Sequence, residues 1–342
     1  MRFGPWLTVI LLSVIIGRGS AQDLDAIEGL FKWVRDLGGE VNAEVKQNSN
    51  GVRGLFATKD IPEGQYIASI PAAAIMNAGS LNDSFAVPTL ITLRELKNPY
   101  SRFKPYVAIW PRPDEVINSC NFPTEYIGML KMPYWEKNVN EWSEHIGHLL
   151  TGDLDAELEY TIKSSTRYVL THRRRRLLMA PIFDLANHDR SCTTYLTPYE
   201  SGNMLHFVAG SDIKQGEEVC YSYGNMRDDY ALIHYGFLPD LEDPPRLALV
   251  DHRDFKPDSP YTHEEAPDDV PLEGEPEVLR AELQRLRNIH DELKATPDTM
   301  PPRPPGEDYL YDTLKELERR RLNALSNEIQ RLSFLLNDRT EL

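Results

Sequence analysis

Residues 181–189 read Pro-Ile-Phe-Asp-Leu-Ala-Asn-His-Asp, and the fold prediction starts from them. An apolar run ends here in polar side chains. Asp184, Asn187 and His188 can each offer hydrogen-bonding groups to a ligand at the edge of a core. The stretch is also typical of a strand that runs into an Asx-rich turn. Taken alone, it leaves a ligand site and an ordinary turn equally open.

A second distinctive stretch occupies residues 219–225 and reads Val-Cys-Tyr-Ser-Tyr-Gly-Asn. The triplet Gly-Glu-Glu precedes it at residues 216–218, and Tyr-Gly-Phe follows at residues 235–237. Considered alone, this stretch is typical of a tyrosine-rich strand that ends at a glycine. The order and spacing of the two stretches are more informative than either one.

Two further blocks lie upstream. Residues 53–64 read Arg-Gly-Leu-Phe-Ala-Thr-Lys-Asp-Ile-Pro-Glu-Gly, and Ile-Pro follows at residues 70–71. Residues 101–106 read Ser-Arg-Phe-Lys-Pro-Tyr, and Trp-Pro follows at residues 110–111. The first block predicts strands joined by a Pro-Glu-Gly turn. The chain therefore carries four blocks in a defined order.

In this order, the four blocks resemble the SET-domain protein methyltransferases. Within them, they are most similar to the class that contains the Rubisco large-subunit lysine methyltransferase and the actin-histidine methyltransferase. The resemblance covers residues 30–245. It implies an α+β fold of several small β-sheets with a threaded (pseudoknot) crossing. A helical insert near residues 85–165 and a reduced helical carboxyl-terminal extension complete the expected architecture.

The resemblance implies S-adenosylmethionine (SAM) as the methyl donor. A guanidinium fork matches the carboxylate of SAM, so Arg167 is implied to bind it, with a salt-bridged helix arginine as the alternative. Gly54 lies where the family backbone approaches SAM, and Val52 replaces a glycine that usually precedes it. The residues implied to bind SAM are Gly54, Arg167, Asp184, Asn187, His188 and Tyr223.

Catalysis is implied to depend on Tyr223, while Tyr221 and Tyr235 are implied to line a channel for a lysine side chain. A lysine ammonium has no lone pair and must lose a proton before it can accept a methyl group. A narrow aromatic channel beside a sulfonium lowers the pKa of a lysine by desolvation and by like charge. Asn187 and His188 also lie at the implied crossing, so a structural role is as natural for them as ligand contact.

The function predicted by these observations is SAM-dependent protein-lysine N-methylation. One alternative is a histidine acceptor in place of lysine. Another is a catalytically inactive SET-fold protein-binding module of the secretory pathway. Retention of Tyr223, Asn187 and His188 opposes the inactive module.

No metal centre is expected. Cys120, Cys192 and Cys220 are too few and too scattered for a disulfide framework or a four-ligand zinc site. His145 and His148 lie at helical spacing, but no third and fourth ligands follow nearby. Methyl transfer from SAM to a lysine amine also requires no metal ion.

Residues 1–21 have the layout of a secretory signal peptide, with Arg2 before an apolar run and small residues at 19–21. The run is about half of the ~20 residues that a membrane-spanning helix needs, so no stable anchor is expected. We expect entry into the secretory pathway, with the ER lumen or the exterior as destination. A complex plastid reached by a signal-led route is the alternative.

The formal net charge of −16 reflects 53 acidic and 37 basic residues. An acidic surface opposes direct nucleic-acid binding, because phosphate contacts need basic side chains. It favours a basic, lysine-bearing protein partner, although solubility alone would also explain it. The oligomeric state stays open.

Periodicity predicts a helix over residues 25–38, β-type alternation over residues 51–76 and 180–223, and amphipathic helices over residues 276–295 and 307–337. The insert is predicted to contain helices over residues 87–96, 124–129 and 139–168. The expected domains are a signal peptide at 1–21, a SET domain at 22–250, an acidic proline-rich linker at 251–275 and a helical region at 276–342.

Overall fold

The computed structural model describes residues 8–10, 21–48, 51–79, 86–110, 122–128, 135–136, 177–197, 203–224, 226–243, 245–247, 276–295 and 309–338. The chain forms two compact units. The first comprises Met1–Val116 and His148–Tyr223, and the second comprises Ile117–Gly147 and Gly224–Leu342.

The strands of the first unit are short. They are β1 (Thr8–Ile10), β2 (Glu40–Val41), β3 (Ala43–Gln47), β4 (Arg53–Ala57), β5 (Tyr66–Pro71), β6 (Met76–Gly79), β7 (Leu177–Met179), β8 (Asn187–His188), β9 (Tyr195–Thr197), β10 (Met204–Val208) and β11 (Glu218–Tyr221). Their sheets have the orders β1-β7-β6, β2-β5-β10-β9 and β3-β4-β11-β8. The predicted fold of several small sheets is confirmed.

Helix α1 (Ala21–Asp36) packs one apolar face on this unit. Ile27, Leu30 and Val34 are buried at the three-to-four spacing that predicted the helix. The helix ends because Gly38 takes a φ of 89°, a conformation that glycine adopts without steric cost. The predicted helix over residues 25–38 is therefore confirmed, with an earlier start.

The core of the first unit lies between the sheets. Phe183 and Phe207 are fully buried and meet edge to face, with ring centroids 5.1 Å apart and an interplanar angle of 85°. Leu55 in β4 and Val219 in β11 are also fully buried and are directly paired across the two strands. Burial of these side chains stabilises the strands that carry the sequence motifs.

The pairing of β11 brings the two motif stretches together. β11 is antiparallel to β4 and parallel to β8, and the parallel register sets Cys220 opposite Asn187 and Tyr221 opposite His188. Two segments that are distant along the chain thus lie side by side. This pairing positions the candidate site.

The described helices of the insert are α2 (Ala86–Lys97), α3 (Lys104–Val107) and α4 (Thr124–Ile127), the last of which belongs to the second unit. They confirm the helices predicted over residues 87–96 and 124–129. The helix predicted over residues 139–168 lies outside the described residues. So do the predicted linker at 251–275 and the boundary near residue 250.

The second unit also contains α5 (Asp228–Tyr235), α6 (Pro276–Ala295) and α7 (Tyr309–Asp338). The two long helices confirm the predicted amphipathic pair. They pack through leucines at helical spacing, because an amphipathic helix must bury its apolar stripe. The buried leucines are Leu279, Leu283, Leu286, Leu293, Leu325, Leu332 and Leu336.

Buried ion pairs tie α7 to the segment around α5. The Nη1 atom of Arg320 donates to Asp228 Oδ2 and to the Pro239 carbonyl oxygen, both at 2.7 Å. Arg227 pairs with Asp229 at 3.0 Å. Arg227 and Asp228 are both buried, so these charges are used within the second unit.

Strand β1 falls within the predicted signal peptide. It occupies one edge of its sheet and pairs in parallel with β7, which pairs separately with β6. Removal of residues 1–21 would therefore leave the β6–β7 pairing in place. Among the described residues, no helix has the length and apolar character needed to cross a membrane.

Candidate active site

The candidate active site is built where β8 and β11 run in parallel. Asn187 and His188 form β8, and Tyr223 lies just beyond the end of β11. The Asp189 N–H donates to the Tyr221 carbonyl oxygen at 3.3 Å and extends the pairing. The motif residues that the sequence separates are thus fixed by backbone register.

Tyr223 is held by hydrogen bonds at both of its ends. Its hydroxyl donates to the Ala186 carbonyl oxygen at 2.8 Å, and its backbone N–H donates to His188 Nδ1 at 3.0 Å. Burial raises the pKa of the Tyr223 hydroxyl well above its usual range, and the charges of Asp184 and Tyr221 raise it further. The phenol therefore stays protonated near neutral pH and acts as a hydrogen-bonding group.

The ring of His188 lies beside Tyr223, with centroids 5.1 Å apart. Because Nδ1 accepts the Tyr223 N–H, a neutral imidazole carries its proton on Nε2. The tautomer is thus assigned from the hydrogen bond. One ring nitrogen of His188 is committed to shaping the backbone at Tyr223, and this contact supports the structural role considered for it.

Asn187 uses both hydrogens of its side-chain amide on protein acceptors. Nδ2 donates to the Arg53 carbonyl oxygen at 2.9 Å and to Glu218 Oε1 at 2.7 Å. Within the part of the chain that the structure describes, Asn187 Oδ1 accepts no hydrogen bond. These two bonds fix the orientation of the side-chain amide, and so the position of its oxygen.

Gly54 makes room for this arrangement. A Cβ atom at this position would overlap the Glu218 carboxylate and would lie 2.9 Å from Asn187 Nδ2. The sequence suggested that a glycine here leaves space for a ligand. The structure adds a contact that explains the glycine within the protein itself, and direct approach to SAM stays a prediction.

Aromatic rings line the inner side of the site. Tyr221 packs edge to face on Phe183 at 4.4 Å and lies 6.3 Å from Tyr223, centroid to centroid. Burial raises the pKa of the Tyr221 hydroxyl. Two neutral phenols and a phenylalanine therefore give this side a low-dielectric character.

Asp184 is buried and accepts a hydrogen bond from the Tyr106 hydroxyl. Tyr106 belongs to α3 and is fully buried. The resemblance implied that Asp184 binds SAM but assigned no role to Tyr106. The signal was present, because Tyr106 ends the block at residues 101–106.

A strained turn precedes Asp184. Ile182 is fully buried and has φ 71° and ψ −52°, close to the rare γ-turn geometry. A β-branched residue at positive φ is an outlier that the surrounding structure must hold in place. The turn leads into the 3-10 helix Phe183–Leu185 and directs the chain into β8.

A disulfide joins Cys192 and Cys220 beside the paired strands β8 and β11. Cys220 is the β11 residue opposite Asn187, and Cys192 follows β8 along the chain. The Thr194 hydroxyl also donates to the Cys220 carbonyl oxygen at 2.6 Å. The sequence gave no reason to pair these two cysteines, and a single disulfide is compatible with the expectation that three cysteines form no disulfide framework.

The structure brings together six of the eight proposed site residues: Gly54, Asp184, Asn187, His188, Tyr221 and Tyr223. Tyr235 is buried in α5 of the second unit, with its ring 6.3 Å from that of Phe237. Arg167 lies outside the described residues. The roles of these two stay predictions.

Comparison with known proteins agrees with this architecture. The family model described as "SET domain" matches residues 52–224, just over half of the chain. The chain belongs to the SET-domain family. The matched region begins beside β4 and ends one residue after Tyr223, so it contains the whole β8–β11 site.

The sequence of this SET-domain protein is similar to N-lysine methyltransferase SETD6 of several vertebrates. Identity to the mouse protein is 25% over 266 residues, which cover 64% of this chain and 55% of the relative. Identity to the human protein is 24% over 300 residues, which cover 67% and 63%. The chain thus spans less than two thirds of the length of either relative.

Solved structures of Rubisco LSMT share the fold. The SET domain of LSMT bound to lysine and AdoHcy superposes with a TM-score of 0.63 at 14% identity and covers 90% of this chain and 91% of its own. Rubisco LSMT bound to AdoMet gives 0.63 at 13% identity, with 93% of each chain covered. The predicted family and fold are confirmed.

Proposed function

We propose that this SET-domain protein transfers a methyl group from SAM to a lysine side-chain amine of a protein substrate. The observation that carries the proposal is that Tyr223 is held at the strand of Asn187 and His188, through its hydroxyl bond to Ala186 and its backbone bond to His188. The similar SETD6 proteins are named N-lysine methyltransferases, and the similar LSMT structures contain AdoMet, or AdoHcy with lysine. These likenesses favour the same chemistry here.

The residues present fit SAM. Its ammonium and its adenine amine are N–H donors, and the amide oxygen of Asn187 is an acceptor whose orientation is fixed. The backbone near Gly54 and the guanidinium of Arg167 are proposed to complete the binding set. When bound, SAM supplies a methyl group attached to a positively charged sulfur.

The protein's own residues prepare the acceptor. The Tyr223 hydroxyl donates to Ala186, and its oxygen keeps lone pairs that can accept a hydrogen bond from an incoming amine. Tyr221 and Phe183 exclude water and so lower the pKa of a lysine that enters. Because Tyr223 itself stays protonated, it does not take the lysine proton, which passes to solvent as the amine enters the site. Positioning then supplies most of the acceleration.

A lysine acceptor is favoured over histidine by the names of the similar relatives, and Tyr235 is proposed to line the acceptor channel. An inactive binding module is the second candidate. Such a module would need neither the fixed orientation of the Asn187 amide nor the two hydrogen bonds that hold Tyr223. The acidic chain, with a formal net charge of −16, supports a basic protein substrate.

We infer that the protein acts in an oxidising compartment of the secretory pathway. The signal-like layout of residues 1–21 supports this location. The Cys192–Cys220 disulfide supports it independently, because cytosolic proteins are kept reduced and disulfides persist in the ER lumen and outside the cell. Mass spectrometry of the mature protein tests both features at once; an intact Met1 terminus with free thiols would refute the location.

Calorimetry with SAM and with its demethylated product tests the cofactor directly. We expect saturable binding without added metal. Transfer of labelled methyl groups onto arrays of lysine-rich peptides, with matched arrays in which arginine replaces lysine, then tests the acceptor. Absence of binding at millimolar SAM would overturn the proposal in favour of the inactive module.

A further inference from the structure

We propose that Glu218 is a positioning residue that fixes the orientation of the Asn187 amide and, through it, the acceptor oxygen offered to SAM. The inference rests on the proposed function in one respect, namely that Asn187 contacts SAM. Glu218 belongs to the Gly-Glu-Glu triplet at residues 216–218. The sequence attached no role to this carboxylate.

The geometry makes Glu218 one of two acceptors that define the Asn187 rotamer. Glu218 Oε1 lies 2.7 Å from Asn187 Nδ2, and the Arg53 carbonyl oxygen lies 2.9 Å from the same nitrogen. An amide rotated by half a turn would set its oxygen against both of these acceptors. Such contacts between acceptors are unfavourable, so only one orientation is compatible with the protein.

A further contact holds the carboxylate itself. Asn48 Nδ2 lies 3.4 Å from Glu218 Oε2, and Asn48 Oδ1 accepts the Val52 N–H at 3.0 Å. The second bond fixes the orientation of the Asn48 amide, so that its nitrogen faces Glu218. The turn between β3 and β4 is thereby connected through Glu218 to Asn187 in β8.

Gly54 provides the space that this connection needs. A Cβ atom on residue 54 would overlap Glu218 Oε1 and press on Asn187 Nδ2. Any larger residue must therefore displace the carboxylate, the amide or both. The glycine, the carboxylate and the asparagine form one unit, which we call the Asn187 support: Gly54, Glu218 and Asn187.

The test compares Glu218→Ala with Glu218→Gln. The glutamine side chain has the same length and still offers an oxygen that can accept from Asn187 Nδ2. Alanine removes this acceptor. Glu217→Ala and Glu217→Gln are the matched controls, because Glu217 is the neighbouring residue and is exposed. Each variant is measured for SAM affinity by calorimetry, for kcat and KM, and for unfolding by denaturant.

We expect Glu218→Ala to weaken SAM binding about tenfold, the size of one well-placed hydrogen bond, and to raise KM for SAM more than it lowers kcat. Glu218→Gln should restore affinity to within about threefold of the wild type, since it restores the acceptor. SAM affinity in Glu218→Ala equal to that of Glu217→Ala would overturn the proposal. Equal losses in Glu218→Ala and Glu218→Gln would overturn it as well, because charge rather than orientation would then matter.

A readout without cofactor separates this inference from the proposed function. Asparagine-selective ¹⁵N labelling reports the side-chain amide of Asn187, with the signal assigned by its loss in Asn187→Asp. We expect slow hydrogen exchange of this amide in the wild type and in Glu218→Gln, and fast exchange in Glu218→Ala. Failure of the wild type to bind SAM would reject the proposed function. Unchanged hydrogen exchange of the Asn187 amide in Glu218→Ala would reject the positioning role of Glu218, whether or not SAM binds.

Discussion

Replacing Tyr223 by phenylalanine removes one hydroxyl and keeps the ring. The lost hydroxyl donates to the Ala186 carbonyl oxygen at 2.8 Å and faces the site where the acceptor amine is proposed to lie. For folding, loss of one such hydrogen bond costs about 1 kcal/mol. For the reaction, loss of one aligned group at the reacting centre costs roughly 10²–10³ in rate, or about 3 to 4 kcal/mol. The second effect should dominate.

Three measurements separate these effects. We expect kcat for methyl transfer to fall by roughly 10²–10³. The affinity for SAM should stay within about twofold of the wild type, and the denaturant midpoint should change only slightly. Tyr66→Phe is the matched control, because Tyr66 is an exposed tyrosine of the same unit. Equal kcat in the wild type and in Tyr223→Phe would defeat the assignment of Tyr223 as the catalytic residue.

The pH dependence gives an independent check. Because burial raises the pKa of Tyr223 above that of an unfolded tyrosine, its contribution to stability is fully present below about pH 10. That contribution is lost as the pH rises further, since the unfolded chain ionises first. Tyr223→Phe should therefore lose less stability than the wild type between about pH 10 and 11. Parallel stability curves in this range would contradict the buried, neutral phenol.

The remaining predictions concern the supports of the fold. Reduction, or Cys192→Ser, opens a loop of 28 residues and should lower the unfolding free energy by about 3 to 4 kcal/mol, measured by denaturation with and without reductant; no change would contradict a structural disulfide. Arg320→Met removes the Arg320 cation from the buried Asp228 carboxylate and should cost about 3 to 5 kcal/mol, with Arg320→Met/Asp228→Asn recovering part of the loss. Hydrogen bonding by Arg319 lowers the pKa of Glu316 to about 2, so its stabilisation is present above about pH 4.5 and is lost as the pH falls towards 2; Glu316→Gln should flatten this acid limb in helicity measured by circular dichroism, and an unchanged limb would contradict the ion pair.

Local patterns were sufficient for α1 and for the two long helices α6 and α7. The apolar spacing around Leu30 and the leucine stripe of α6 and α7 follow directly from the 3.6-residue period, and the structure shows them buried. Such features depend on neighbours within a few residues. They can therefore be predicted from a single sequence.

The site required more than local pattern. Tyr223 and Asn187 were found through the resemblance of ordered blocks, because no period links residues that meet across parallel strands. Glu218, Tyr106 and the Cys192–Cys220 bond were not assigned. Each acts on a partner at least 28 residues away, so its role depends on the register of β8 and β11 and on the placement of α3.

The parallel run of β8 and β11 has a consequence for engineering. Parallel neighbours cannot be joined by a tight hairpin, so the chain must return from one end of the pair to the other, and here it does so by way of β9 and β10. The length of that return is independent of the pairing, whereas deletion of one residue just before β8 would shift its register and exchange the faces of its two side chains. A reporter domain inserted between β9 and β10 should therefore leave the proposed methyl transfer intact. The reporter would lie in the segment that connects β8 to β11.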